Sequence, residues 1–544
     1  MICALPNIDA LSLPELVAQM IVVRASGYLF DHQIQYPEWE PQKAKLRYWL
    51  EKLGVGGVIL LGGSAGELAL RSQQLQNWAK IPLLIAADIE EGVGQRFSGA
   101  TWFPPPMAIS AIANKDISLA QHYAEQLGAF TAWEAQSIGI NWVLAPVVDV
   151  NNNPDNPVIN VRAFGETSEQ VSQLATAFIR GAQAHPVLTC AKHFPGHGDT
   201  ATDSHLELPV LPHSQTRLSE VELPPFKAAI AAGVDSVMSA HLLIPSWDAE
   251  RPATLSERIL TQQLRQHLGF KGLIVTDALV MGAIANRYGA NEAPVLALEA
   301  GADILLMPLD PEGAIQAVCQ AVKSGRIQQS RIRASVERIW QAKLKVCSPA
   351  VADTSNPEPV EAGFIVSRLA QSAALTTATN ILRETQLVHG SVPLQLKKTR
   401  TKFSVSGESS RLRNLIVVDN LLACDFLSQH TPAIAHPTQL GYTTQISDCH
   451  TSAATQSAEP TLLQLFIRGN PFRGSAVSQV AQDWFKRLLQ NGDLQALVVY
   501  GSPYTLEQFL PALPPSVPCV FSYGQMPAAQ AIALETLLAN GLLP

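Results

Sequence analysis

Residues 192–209, KHFPGHGDTATDSHLELP, gather three His, two Asp, one Glu and one Lys around Pro195, Gly196 and Gly198. They follow an apolar run at 186–191, so a buried strand is expected to open into a long polar loop of groups that titrate or ligate. Loop backbone is costly to bury, which keeps such connections at the surface and makes them frequent carriers of reactive side chains. Asp203 and His205 are two apart, and in an extended segment that spacing turns both side chains the same way. A carboxylate so placed orients an imidazole for proton transfer.

Three further apolar runs also end in an ionisable residue: Asp88 after 83–87, His241 after 236–240, and Asp277 after 273–276. With Lys192 and His193 these make four such endings. Taken singly, each is open to a plainer role. Asp277 suits a helix N-cap as well as a nucleophile. Lys192 suits a Schiff-base lysine as well as a hydrogen-bonding cation. His193 and His197 have the four-residue spacing of two metal ligands on one helix face, although Pro195, Gly196 and Gly198 disfavour a helix there. His205 and His241 could still assemble with Asp277 as in a metal-dependent amidohydrolase barrel, and that alternative stays open. What unites the four endings is a parallel barrel, where the carboxyl ends of all strands gather round one cleft.

The elements that must do this positioning are apolar runs at 20–24, 57–61, 83–87, 142–145, 187–191, 236–240, 273–276 and 303–307. They do not alternate with polar residues, the pattern of strands covered on both faces in a parallel sheet. Helical periodicity lies between them, for example at 168–180 and 255–265, and Ser12 with Glu15 has the form of a capping box. The fold class is therefore α/β: a (β/α)8 TIM-type barrel over residues 1–346, with a doubly wound sheet as the alternative. A Pro- and Ser-containing linker at 347–360 leads to a smaller α/β sandwich-like domain at 361–544. In that domain a helix is expected from about Val360, strands at 414–418, 462–467, 496–500 and 517–522, a closing helix at 528–538, and loops at 403–412 and 449–460. No second cluster of ionisable strand ends occurs there; Ser502 reads as a turn residue, and the domain is expected to be non-catalytic.

Length and charge narrow the function classes. A chain of 544 residues is too long for one core. Its net charge of −8 and scattered Lys and Arg argue against nucleic acid or an anionic membrane as partner, and the basic run at 397–402 reads as a solvated loop. No basic leader segment is visible and no apolar run reaches the ~20 residues of a membrane span. Seven cysteines at irregular spacing, with no Cys-x-x-Cys pair, read as reduced thiols of a cytoplasmic protein. No cofactor is expected and no metal is assigned; oligomeric state is not predicted.

The segment KHFPGHGDT at 192–200, followed by Asp203 and His205 and closed by Leu208 and Pro209, resembles glycoside hydrolase family 3, specifically the bacterial β-N-acetylhexosaminidases of the NagZ type. Supporting stretches are DIEEGVGQR at 88–96, the Asn-rich 151–165, VMSAH at 237–241 and VTDALVM at 275–281, so the resemblance covers most of the first 345 residues. It implies a retaining exo-acting enzyme that removes terminal β-linked N-acetylglucosamine from a small-molecule or oligosaccharide substrate, in peptidoglycan turnover or recycling. It further implies Asp277 as nucleophile and His205, oriented by Asp203, as acid/base on a loop that closes over substrate in family members. Asp88, Arg96, Arg162, Lys192 and His193 match sugar-holding positions, and His241 joins them as a substrate-binding candidate. The second domain resembles, less specifically, one that many family 3 enzymes carry.

One departure stands out: where the family commonly has Asp-x-Glu-Gly-Gly, this chain has Glu91 in place of the first glycine, so a reshaped loop at the sugar's far hydroxyls is expected. An imidazole titrating near ~6.5 suits both acid and base roles and adds no negative charge near an anion. A family 3 β-glucosidase and an N-acetylglucosaminide phosphorylase are therefore alternatives, as is a non-catalytic sugar-binding protein derived from an enzyme.

Overall fold

The first helix, Leu13–Ala18, begins where the Ser12 and Glu15 pattern predicts. The Ser12 backbone N–H and hydroxyl both donate to the Glu15 carboxylate, at 2.8 and 2.6 Å, and Pro14 occupies the first turn, where its missing N–H costs nothing. This computed structural model describes residues 5–201, 207–347, 365, 367–394, 412–450, 459–468 and 476–538. Asp203, His205, Cys3, the linker at 348–360, the helix start at Val360, the basic run at 397–402 and most of the two expected loops lie outside the described residues. The chain divides into two units, 1–377 and 378–544.

The first unit is α/β, with eight strands among its described residues and every pairing parallel: β1 (Ile21–Ser26), β2 (Gly57–Leu61), β3 (Leu84–Ala87), β4 (Trp142–Val143), β5 (Cys190–Phe194), β6 (Ser236–Ser239), β7 (Leu273–Thr276) and β8 (Leu305–Leu306). Their residues are buried almost throughout, on both faces, which explains why the sequence shows continuous apolar runs. Five strands form a sheet in the order β4-β3-β2-β1-β8, curled as a half-barrel, and three form a second sheet, β5-β6-β7. Parallel bridges Trp142 to Leu188 and Val147 to Lys192 join β4 to β5, and Val275 to Ile304 joins β7 to β8. Helices such as Ile117–Ser137 and Ser168–Ala182 pack against each other, each opened by a side-chain cap: Asp116 accepts from the Leu119 backbone N–H and Thr167 from that of Gln170.

Two boundaries differ from expectation. β5 is shifted three residues along the chain, so Lys192 and His193 stand within the strand rather than in the loop after it. Pairing decides this: Cys190, Ala191 and Lys192 lie opposite Ser236, Val237 and Met238, and Phe194 lies opposite Ser239, while apolarity alone ends at Ala191. The helix expected at 255–265 runs instead over Arg258–His267, wound more widely than an α-helix and preceded by a short turn at Ala253–Leu255.

The second unit, described by itself, is a six-stranded sheet ordered β11-β10-β12-β13-β14-β9, made from β9 (Leu387–His389), β10 (Leu412–Val417), β11 (Tyr442–Ser447), β12 (Thr461–Ile467), β13 (Leu494–Gly501) and β14 (Cys519–Ser522). Only β9 runs antiparallel, at an edge. Ile416, Leu462, Phe466, Val498 and Tyr500 pack with Ala533, Leu534 and Leu537 of the helix Pro527–Leu538 on one side, while the alternate residues Leu415, Leu463, Leu465 and Val499 are buried as well. Sequence periodicity passes over β9, only three residues long with Leu387 and Val388 exposed, and β11, whose Thr443, Thr444 and Gln445 break any apolar run. Ser502 occupies the position just before the helix Pro503–Phe509. Among the described residues no helix is long and apolar enough to cross a membrane, and six cysteines are free thiols.

Candidate active site

The carboxyl end of β3 delivers Asp88 directly after Ala87, and two residues on Glu90 returns to the same side, 3% exposed. From β5, Lys192 reaches both: its Nζ lies 2.7 Å from Asp88 Oδ1 and 2.7 Å from Glu90 Oε1. Arg162, from the turn Asn160–Arg162, grips Glu90 with two parallel hydrogen bonds of 2.8 Å, and its third arm donates to the Val158 carbonyl at 2.9 Å. Arg96 donates from Nε to the Asp88 carbonyl at 3.0 Å. Four of the sequence-derived residues, Asp88, Arg96, Arg162 and Lys192, are thus brought together, along with Glu90, which sequence reasoning missed.

Electrostatics keep this group ionised. Burial pushes the Glu90 carboxyl upward, but the Arg162 and Lys192 charges overcome that and hold it well below the usual carboxylate range. Burial likewise opposes Asp88, and Lys192 lowers it. The Lys192 ammonium, disfavoured by burial, is carried above its ordinary value by Asp88 and Glu90. Dehydrating so many charges stabilises a fold little, since apolar residues of similar volume generally do as well, so such a cluster points to a ligand.

A second buried carboxylate, Asp149, fully enclosed, organises the histidines. Its Oδ2 accepts from His193 Nδ1 at 2.8 Å, and its Oδ1 accepts from the His197 backbone N–H at 2.7 Å. Burial opposes its charge, and His193 restores it, leaving the Asp149 carboxyl below its ordinary value. An ionised Asp149 fixes the proton of His193 on Nδ1, and Nε2 meets no partner among the described residues. The His197 ring turns elsewhere, with Nδ1 2.8 Å from the Thr200 hydroxyl, so the two imidazoles do not aim their Nδ1 atoms at a common point. Burial pushes His197 down to about 4 against the pull of Asp149 and Asp277. Gly198 makes the approach possible, because a Cβ there would sit 1.8 Å from the Val150 carbonyl oxygen. The signal for Asp149 was present as an ionisable residue ending the run 142–148, masked by Pro146.

Asp277 follows β7, half-buried, with its backbone N–H on the Ser239 carbonyl at 3.2 Å and its Oδ1 accepting from Ala278 N at 2.7 Å. It is no helix cap: the next helix, Gly282–Tyr288, is capped by Met281. His241 lies beneath this turn, fully buried, Nε2 3.1 Å from the Ala278 carbonyl and Nδ1 2.8 Å from the Thr254 hydroxyl. The carbonyl can only accept, so the His241 proton sits on Nε2. Glu91 is buried at 0% exposure and accepts from the Trp102 indole N–H at 3.0 Å. Flanking the segment that carries Asp203 and His205, Asp199 pairs with His213 at 2.9 Å and Val210 bridges to Leu243.

Residues 12–342 match the Glycosyl hydrolase family 3 N terminal domain, and residues 406–539 the Bacterial Glycosyl hydrolase family 3 C-terminal domain. The chain is 31% identical over 507 residues to Beta-hexosaminidase A of Pseudoalteromonas piscicida, covering 85% of this chain and 80% of that one. It is 33% identical over 297 residues to a Beta-hexosaminidase of Nitrosomonas eutropha, covering 53% of this chain and 85% of that one. Among solved structures, a glycoside hydrolase family 3 beta-N-acetylglucosaminidase from Paenibacillus sp. str. FPU-7 superposes with a TM-score of 0.78 at 29% identity, covering 98% of this chain and 97% of the other. Through family matches to both parts of the sequence and a relative alike over most of its length, the chain belongs to glycosyl hydrolase family 3 and is a glycoside hydrolase of that family.

Proposed function

We propose that this enzyme is a retaining, exo-acting β-N-acetylhexosaminidase that removes terminal β-linked N-acetylglucosamine through a glycosyl intermediate on Asp277. The observation that carries this reading is the convergence of Asp88, Glu90, Lys192 and Arg162 into one ionised cluster at the carboxyl ends of β3 and β5. Such a cluster offers rigid donors and acceptors to sugar hydroxyls, and His193 adds Nε2, with Asp149 fixing its tautomer. Arg96 steadies the Asp88 backbone. His241, spent on protein groups at both nitrogens, acts as a positioning residue for the Asp277 turn rather than as a sugar ligand.

In the first step the Asp277 carboxylate attacks the anomeric carbon while the bond to the leaving oxygen breaks. That oxygen takes the proton of the His205 imidazolium, which Asp203 orients. In the second step water attacks the same carbon, neutral His205 removes its proton, and Asp277 departs. The name of the similar Paenibacillus structure, a beta-N-acetylglucosaminidase, supports N-acetylglucosamine as the sugar. The same reading takes the eight strands of the first unit as a closed (β/α)8 barrel, supported by the three bridges between its sheets, with residues 1–346 catalytic and 361–544 non-catalytic. It places the enzyme in the cytoplasm, where free thiols persist, acting on cell-wall fragments.

The test is chromophore release from aryl β-N-acetylglucosaminide and aryl β-glucoside, each with and without phosphate. The expected result is a kcat/KM for the acetamido sugar at least about 100-fold higher, with free sugar as product in both buffers. Equal cleavage of the two glycosides would refute the sugar assignment, and a glycosyl phosphate product would refute hydrolysis.

A further inference from the structure

A cavity of about 460 Å³ lies between the segment that follows β1 and the residues that follow β7 and β8. Ligand pockets span about 300–1,000 Å³, so it has room for a sugar ring. It is lined by Arg24, Trp39 and Glu40 from the β1 side, by Val280, three residues beyond Asp277, and by Met307, directly after β8. Arg24 also feels the charges of Asp88 and Arg96, which ties the cavity to the site described above.

Its polar groups are incompletely used. Glu40 is 3% exposed, and its Oε1 accepts from Arg24 Nε at 3.3 Å. Its Oε2 is buried with no hydrogen-bond partner among the described residues. Burial pushes the Glu40 carboxyl above its ordinary value, with the Arg24 charge opposing it. Arg24 donates through Nε alone among the described residues, which leaves the rest of the guanidinium fork unused. A buried acceptor without a donor is costly and calls for a partner. Trp39, on the cavity wall and 36% exposed, is backed by Tyr36, with ring centroids 6.0 Å apart and planes 18° apart, and Arg24 lies over the Tyr36 ring at 5.7 Å. A flat aromatic face beside an unsatisfied acceptor and a guanidinium matches a ring that has an apolar face and hydroxyls at its edge.

We propose that this cavity is the leaving-group subsite of the enzyme, taking the saccharide unit joined to the sugar that Asp277 releases. Trp39, backed by Tyr36, packs under that ring, while Arg24 and Glu40 bind its hydroxyls. The assignment rests on the hydrolase reading given above and adds which leaving groups the enzyme prefers.

The test compares wild type with Trp39→Ala and Glu40→Gln on a β-linked N-acetylglucosamine disaccharide and on β-N-acetylglucosaminyl fluoride, whose leaving group is too small to fill the cavity. Expected is a fall of at least about tenfold in the ratio of disaccharide to fluoride kcat/KM, chiefly through KM of the disaccharide. A ratio within about twofold of wild type in both variants would overturn the subsite. Calorimetric titration of the free disaccharide separates this from failure of the hydrolase reading. If wild type cleaves neither substrate yet binds the disaccharide, and Trp39→Ala loses that binding, the cavity is a saccharide site and the hydrolase reading falls alone. Absence of binding by wild type overturns the subsite.

Discussion

Replacing Lys192 by Met removes the ammonium that joins two carboxylates, with Nζ 2.7 Å from each and the side chain 1% exposed. At an effective dielectric constant near 20, each contact at that distance carries about 6 kcal/mol of gross attraction. Dehydration of the buried ions, several kcal/mol each, offsets most of it, and the cost of deleting one partner of a buried pair is about 3–5 kcal/mol. Glu90 keeps both hydrogen bonds from Arg162, and the Asp88 side chain retains 36% of its surface, so the loss falls at the low end, about 3 kcal/mol. In urea this lowers the midpoint of the first unit's transition by about 1 M. Because a two-unit chain need not unfold in one step, the transition is assigned by hydrogen exchange of peptides covering β5. On the proposed function the same variant also loses a charged hydrogen bond to the sugar, worth about 1.5–3 kcal/mol, or roughly 10- to 150-fold in kcat/KM. A midpoint unchanged within roughly 0.2 M together with kcat/KM within about twofold of wild type would refute the reasoning.

Asp149→Asn deletes the charge that fixes the His193 tautomer while keeping the shape; kcat/KM is expected to drop about 10- to 100-fold with the far-ultraviolet spectrum retained, and activity at the wild-type level would contradict that role. His197 gives a pH signature. Burial holds it neutral down to about 4 in the fold, whereas in the unfolded chain it titrates near ~6.5, so between those values the unfolded state binds more protons. Its contribution is intact above ~6.5 and is lost as the pH falls toward the folded value, up to about 3 kcal/mol. Urea midpoints measured across that window are expected to fall more steeply with acidity for wild type than for His197→Gln; equal slopes would show that another group is responsible.

Strands of the first unit were legible because both of their faces are buried, so 57–61 and 273–276 emerge from apolarity with their bounds unchanged. Where function places polar groups inside a strand, as at Lys192 and His193, apolarity stops short and only the pairing with β6 reveals the true extent of β5. The sequence marked Asp88, Arg96, Arg162 and Lys192 as candidates, and the structure brings them together. Their shared counter-ion Glu90 was not, because a carboxylate two residues from another gives no sign of which cation it will meet. Glu91 illustrates the converse. A charge in place of a glycine suggested a reshaped loop at the sugar, but nothing in its type foretold that it would be enclosed and hold the Trp102 indole. In the second unit the central strands are plain in the sequence, while β9 and β11, half-exposed at opposite edges, are not.

The central claim is that Asp277 becomes covalently joined to the sugar. A slow-turnover 2-acetamido-2-deoxy-β-glycosyl substrate, quenched in acid and followed by peptide mass mapping, tests it most directly. The account predicts one sugar added to the peptide containing Asp277, and none in Asp277→Asn. A sugar adduct on any other residue, or steady turnover by Asp277→Asn at the wild-type rate, would contradict it.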